Sequence, residues 1–231
     1  MSEPTEAVET RDGRSTRWDR HRRQRRAAII DAAIDAIDEF GPDALTAQIA
    51  EIAGVPRTHV YRHFDGKHAL DLAVSTHVAE QIGEQIRAGL KTQGSPREII
   101  TAAIDQHLGW IEAHPNLYRF LALHAYVIMT PSAGDAGDAK AAFAAELTNL
   151  MRRYLRALDV EVEPAERVVV GVVGLVDATA IWWLDRGDIS RGELAAELTE
   201  QVWLVISRSA RQLGLTLEAD QTLPAVSRAE R

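Results

Sequence analysis

Apolar residues recur at helical spacing along most of the chain, and Gly and Pro interrupt them. The first set lies on one helical face and comprises Ile30, Ala33, Ile34, Ile37 and Phe40. Two short segments follow, 45–53 and 56–64, with Gly54 between them. Longer helices are predicted over 67–91, over 96–114, from Pro115 onward, and over 141–158, 164–185 and 191–213. The pattern therefore predicts an all-α protein.

One apolar run, residues 168–176, also has the composition of a buried strand. No other segment offers a convincing partner strand, and helical spacing continues from Asp177 to Leu184, so we predict a helix. The predicted organisation has four parts: a disordered basic arm over 1–19, a three-helix helix-turn-helix domain over 20–66, a second helical domain over 67–214 and a disordered tail over 215–231.

Positive charge is concentrated near the N-terminus of an acidic chain. The net charge of the 231 residues is −8, yet residues 11–26 hold eight arginines against two aspartates. A solvated tail and a phosphate-contacting arm both fit this run, and Arg22 and Arg23 are candidate DNA contacts within it. No apolar run reaches the roughly 20 residues that cross a bilayer. We therefore expect a cytoplasmic protein with no membrane partner, and the lack of cysteine excludes disulfides and thiol chemistry.

The two short segments have the arrangement of a helix-turn-helix, whose second helix enters the major groove of DNA. Four apolar residues are expected to pack the two helices together: Ile49, Ala53, Val55 and Val60. The candidate DNA contacts are the polar residues of this region: Arg57, Thr58, His59, Tyr61, Arg62, His63, Lys67 and Thr46. Arg57 best matches the paired acceptors of guanine, whereas Tyr61 and Lys67 suit phosphate oxygens.

The stretch IAEIAGVPRTHVYRHFDGKHAL, residues 49–70, resembles the DNA-binding signature of TetR-type transcriptional repressors. The matching positions are Ile49-Ala50, Ala53-Gly54-Val55, Tyr61-Arg62-His63-Phe64 and Lys67-His68-Ala69-Leu70. Residues 114–121 and 174–203 also resemble the ligand-binding half of actinobacterial members. Two positions depart from the family pattern. Pro56 stands where members usually place Ser or Thr, and the stretch before Ile49 is one residue short, which puts capping by Thr46 in doubt.

The resemblance implies a homodimer that binds a palindromic operator in double-stranded DNA and responds to a small-molecule effector, without a cofactor. Aromatic and polar residues on the apolar helices of the second domain fit a cavity for a largely apolar ligand. The candidate ligand contacts are Trp110, Phe120, His124, Tyr126, Asp177 and Trp182. Whether the ligand releases or promotes DNA binding stays open, because linkage requires only that two states differ.

Small residues on the 164–185 helix indicate where two subunits meet. Gly171, Gly174 and Ala178 share one helical face, which would let another helix approach closely. An apolar stripe on the 191–213 helix comprises Leu194, Leu198, Val202 and Val205. We expect these helices from both subunits to form a two-fold four-helix interface. The alternative is that Gly171 and Gly174 admit a neighbouring helix of the same subunit.

Other function classes have weaker support. His59 and His63 have metal-ligand spacing, but no third ligand lies nearby in sequence, so we predict no metal site. The chain holds no nucleophile elbow, phosphate-binding loop or His-Glu-x-x-His motif, and we predict that it is not an enzyme. A helical enzyme that uses the second domain and a constitutive DNA-binding protein without an effector remain as alternatives.

Overall fold

The computed structural model describes residues 12–89, 94–128 and 165–223, with side chains described at Trp18 and within 20–85, 94–123 and 167–223. This part of the chain is helical and holds no strand, as predicted. Its helices are α1 (Asp12–Phe40), α2 (Thr46–Ile52), α3 (Arg57–His63), α4 (Gly66–Gly89), α5 (Pro96–Ala113), α6 (Pro115–Ile128), α7 (Ala165–Arg186) and α8 (Arg191–Gln212). The run 168–176 lies within α7, so the strand alternative is wrong. The helix predicted over 141–158 lies outside the described residues.

The chain divides into two compact units, residues 1–74 and 75–231. The predicted boundary after residue 66 lies eight residues earlier. The difference arises because Leu70 and Val74, in the first turns of α4, are buried with the first unit. The rest of that core consists of Ile29, Ile30, Ala32, Ala33, Ala36, Ile37, Ala44, Ile49, Ala50, Val60 and Phe64.

The basic arm departs from the prediction, because α1 begins at Asp12 rather than near residue 20. Residues 14–26 contain no Gly or Pro, and Arg is a good helix former. The high charge that suggested disorder is therefore compatible with a helix that continues from the packed part of α1. Residues 1–11 of the arm lie outside the described residues.

The start of the C-terminal tail also differs from the predicted disorder. Residues 215–223 fold back onto the start of α5, where the Arg97 amide donates to Ala219 O and the Leu223 amide donates to Gly94 O, both at 3.0 Å. The Arg97 side chain forms ion pairs with Glu200 and Asp220. These long-range partners are invisible to local composition. Residues 224–231 lie outside the described part of the chain.

In the second unit, α5 packs along α8, and α7 contacts α5, α6 and α8. Both predicted capping boxes are present, Ser95 with Glu98 and Ser190 with Glu193. In the second box, hydrogen bonds from Ser190 lower the pKa of Glu193. Among the described helices, α7 alone is long and apolar enough to cross a membrane, by length and composition. Its contacts with three other helices are those of a helix in a folded unit.

Candidate functional site

The turn between α2 and α3 has the geometry of a helix-turn-helix. Gly54 has φ +62°, a left-handed conformation that favours glycine, and its amide donates to Glu51 O at 3.1 Å. The Val55 amide donates to Ala50 O at 3.0 Å. Ile49 and Val60 are fully buried between the helices, while Ala53 and Val55 are half-buried. The turn therefore directs the polar face of α3 outward.

Both short helices begin without a side-chain cap at the N-cap residue, in agreement with the two departures from the family pattern. Pro56 is the N-cap of α3 and donates nothing, and its carbonyl accepts from the His59 amide at 2.7 Å. Leu45, not Thr46, is the N-cap of α2, and Gln48 Oε1 accepts from its amide at 2.7 Å. Thr46 is the first helical residue and is buried, with 6% exposure, which limits its access to a phosphate.

Four of the predicted DNA contacts on α3 are exposed: Arg57, Thr58, Tyr61 and Arg62. Arg57 Nη2 donates to the Tyr61 hydroxyl at 3.2 Å, and its guanidinium lies 5.6 Å from the centre of the Tyr61 ring. Hydrogen bonds with Thr46 and then with Arg57 lower the pKa of Tyr61. Tyr61 therefore holds the Arg57 side chain along the outer face of α3 in the free protein.

Cationic groups from α1 gather near the end of α3. His63 is half-buried, and its Nδ1 has no hydrogen-bond partner among the described residues. Burial lowers the pKa of His63, and the positive charges of His59, Arg22, Arg25 and Arg62 lower it further. Because these charges repel a proton on His63, the same surface attracts an anion such as a phosphate.

The remaining predicted contacts of the first unit have various surroundings. Arg23 is exposed on α1, and the neighbouring Arg26 guanidinium lies 4.8 Å above the ring of Phe64. Lys67 forms an ion pair with Asp71 on α4, so a phosphate would compete with that carboxylate. His59 is half-buried, with its ring 5.2 Å from that of His63. The described residues hold no group of three or more His, Asp or Glu able to bind a metal.

In the second unit, three polar side chains from different helices meet among apolar residues. Tyr118 on α6 donates its hydroxyl proton to Asp177 Oδ1 on α7 at 3.2 Å. His107 Nε2 on α5 lies 3.6 Å from the same oxygen. The rings of His107 and Tyr118 meet edge to face, with centres 5.7 Å apart. Burial and the Asp177 carboxylate raise the pKa of Tyr118, so its hydroxyl remains a proton donor. We call His107, Tyr118 and Asp177 the polar cluster.

The structure separates the predicted ligand contacts. Trp110 and Phe120 are buried in the core of the second unit, and Asp177 belongs to the polar cluster. Trp182 is 48% exposed, with the Arg186 guanidinium 4.5 Å above its ring, and lies on an outer face of α7. The side chains of His124 and Tyr126 lie outside the described residues. Tyr118 and His107 were not among the candidates, because a Tyr or His on an apolar helix resembles an ordinary core residue until its partner is known.

The predicted dimer residues fall into two groups. Gly171, Gly174 and Ala178 are exposed, and a Cβ added at either glycine would meet no atom within 4 Å. No described helix of the same subunit therefore packs closely against these two glycines. By contrast, Leu194, Leu198 and Val202 are buried within their own subunit. They have almost no surface left for a partner chain, so the predicted interface is corrected to leave them out. Val205 is 38% exposed.

Comparison with known proteins identifies the family. Residues 29–74 match the model "Bacterial regulatory proteins, tetR family", and residues 85–216 match "Tetracyclin repressor-like, C-terminal domain". An uncharacterized HTH-type transcriptional regulator of Mycobacterium tuberculosis H37Rv is 28% identical over 207 residues, 87% of this chain and 84% of the relative. The HTH-type transcriptional regulator BetI of Brucella melitensis is 40% identical over 81 residues, which are 35% of this chain and 41% of BetI.

Solved structures have the same fold. A tetR-family transcriptional regulator from Streptomyces coelicolor superposes with a TM-score of 0.67 at 23% identity, covering 83% of this chain and 86% of that one. The regulator FadR from Bacillus subtilis, solved in complex with stearoyl-CoA, gives a TM-score of 0.57 at 18% identity, covering 76% and 96%. The C-terminal family model alone spans more than half of the chain, and the N-terminal model covers the helix-turn-helix described above. The chain therefore belongs to the TetR family of transcriptional regulators, with a helix-turn-helix DNA-binding domain at its N-terminal end.

Proposed function

We propose that the protein is a cytoplasmic, homodimeric repressor that leaves a palindromic operator when a small, largely apolar effector binds its second unit. The observation that carries this proposal is the outward face of α3, where exposed Arg57, Thr58 and Arg62 follow a glycine turn, with α1 arginines beside them. Such a face fits the major groove, where an N-terminal arginine of the recognition helix can reach guanine.

The outer face of α7 supports a dimer. Five small or apolar residues are exposed on it: Val170, Gly171, Gly174, Ala178 and Trp182. On the neighbouring α8, Leu204 and Val205 are also exposed. Exposed apolar surface of this extent on a folded unit is typical of an interface with another protein. We propose that these faces of α7 and α8 meet their two-fold copies, with Leu204 and Val205 replacing the buried stripe of α8.

The second unit supports an effector role through its chemistry. Its helices are apolar, yet they place the polar cluster among buried residues, which is the arrangement of a site for a mostly apolar molecule. The related fold of FadR holds an acyl-CoA. Binding energy that differs between the DNA-binding and released states would shift the population of the dimer.

The test is selection of bound duplexes from a random DNA pool with the full-length protein, followed by titration of the selected duplex at increasing effector concentration. We expect enrichment of an inverted repeat, and lower affinity for it when an effector is present. Unchanged affinity in the presence of every ligand that binds the second unit would support the constitutive DNA-binding alternative. Tighter binding would reverse the direction of the switch.

The basic start of α1 yields a separate prediction. Deleting residues 1–19 removes Arg11, Arg14 and Arg17 and should lower the slope of log affinity against log salt by ~0.9 for each phosphate that these arginines neutralise. The measurement is DNA binding at several salt concentrations. A variant with those three arginines changed to Gln keeps the length of α1 and serves as the control. An unchanged slope would show that this segment is only solvated.

A further inference from the structure

The polar cluster leaves hydrogen-bonding capacity unused inside an apolar unit. His107 is 8% exposed, and neither its Nδ1 nor its Nε2 has a hydrogen-bond partner among the described residues. Its distance of 3.6 Å to Asp177 Oδ1 exceeds that of a hydrogen bond. Unsatisfied polar atoms in a protein interior are unfavourable and rare, so each such group calls for a partner.

The residues around the polar cluster are apolar. One turn away from His107 on α5 lie the buried Ile104, Trp110 and Ile111. On α6, Tyr118 is flanked in sequence by Leu117 and lies two residues from Phe120, both buried. A molecule that reaches His107 therefore contacts mainly hydrocarbon and meets hydrogen-bonding groups at one point.

The kinds of hydrogen bond at that point define the polar group of the ligand. A neutral imidazole has one N–H donor and one acceptor nitrogen. A hydroxyl group can accept from the first and donate to the second. An ammonium group only donates, so it leaves the imidazole N–H unsatisfied. An ionised carboxylate only accepts, and the Asp177 charge, 3.6 Å from His107 Nε2, repels it.

We propose that the polar cluster binds the hydroxyl group of a lipophilic alcohol, with His107 as its direct contact and Asp177 as the charge that excludes carboxylates. This inference rests on the proposed effector role of the second unit. Tyr118 acts as a positioning residue, because its hydrogen bond orients the Asp177 carboxylate.

The test uses three probes with the same chain length: 1-decanol, sodium decanoate and decylamine. Each is titrated into the full-length protein at pH 8 while tryptophan emission is recorded, because Trp110 lies one turn from His107. We expect saturable binding of decanol, about tenfold tighter than that of decanoate or decylamine, which corresponds to roughly one buried hydrogen bond. Absence of saturable decanol binding, or equal binding of the three probes, would overturn the proposal.

Two variants separate recognition from a purely structural role. His107→Phe keeps a ring but removes both nitrogens, and it should abolish the preference for decanol. Asp177→Asn removes the charge while its amide oxygen can still accept from Tyr118, and it should raise decanoate affinity relative to decanol. The matched control is His77→Phe on α4 of the same unit, since His77 interacts with Gln81 and lies outside the polar cluster.

The variants also keep the proposal testable if one of them is unstable. Folding is checked by circular dichroism, and Asp177→Asn alone decides the matter if His107→Phe does not fold. Wild-type preference retained in both folded variants would assign the polar cluster a structural role. Failure of the alcohol preference leaves DNA binding intact, whereas failure of the proposed function would appear as loss of specific DNA binding by the wild-type protein.

Discussion

Gly174→Leu should convert the protein to a monomer and lower operator affinity by about 10²–10⁴-fold, the range by which linking two binding sites raises affinity. Gly174 lies at the middle of the exposed face of α7, and a leucine there would hold a facing helix away. Within the subunit the change is harmless, because a Cβ at this position meets no atom within 4 Å. Replacing glycine inside a helix should even favour the helix, by about 1 kcal/mol for alanine.

The control for this experiment is Gly192→Leu, which makes the same substitution in the first turn of α8. Gly192 is exposed, and a Cβ there also meets no atom within 4 Å. We expect this variant to sediment as a dimer and to bind the operator as the wild-type protein does. If Gly174→Leu also remained a dimer with unchanged operator affinity, the interface would lie elsewhere on the second unit.

Arg57→Ala should weaken binding to the operator by about 1–3 kcal/mol while affecting random DNA much less, since a bidentate contact to guanine carries sequence information. In the free protein the Arg57 guanidinium rests on Tyr61, so the side chain is already extended along the exposed face of α3. Competition between operator and random duplexes measures both affinities at one salt concentration.

Arg57→Lys distinguishes the two possible roles of this side chain. Lysine keeps the charge but loses the planar pair of donors, so it should bind the operator nearly as weakly as the alanine variant. Rescue by lysine, together with equal loss on operator and random DNA, would make Arg57 a phosphate contact. In that case another residue on the face of α3 would read the bases.

Local patterns were sufficient to predict most of the fold. Helical periodicity, the glycine turn at Gly54 and the two capping boxes depend on residues a few positions apart, and all of them appear in the structure. The start of α1 and the tail were mispredicted for a physical reason. High charge and low hydrophobicity indicate disorder only when no partner is available, and residues such as Arg97 and Asp220 become partners only after folding.

The site residues were harder to predict, because their roles depend on which helix lies opposite. Leu198 and Val202 form a regular apolar stripe, but periodicity does not say whether α5 or a second subunit covers it. Likewise, Asp177 was recognised as unusual on an apolar helix, whereas Tyr118 was not. Their hydrogen bond joins residues 59 positions apart, a separation that no local pattern reveals.

The central claim is that two copies of α3 read two half-sites of an operator through Arg57. Methylation interference on the selected operator tests it most directly, because a methyl group on guanine N7 blocks the acceptor that Arg57 needs. The account predicts interference at symmetry-related guanines whose half-site centres lie about 10–10.5 base pairs apart, or a multiple of that distance. It also predicts that this interference disappears with Arg57→Ala. Interference in a single half-site, or the same pattern with and without Arg57, would contradict the account.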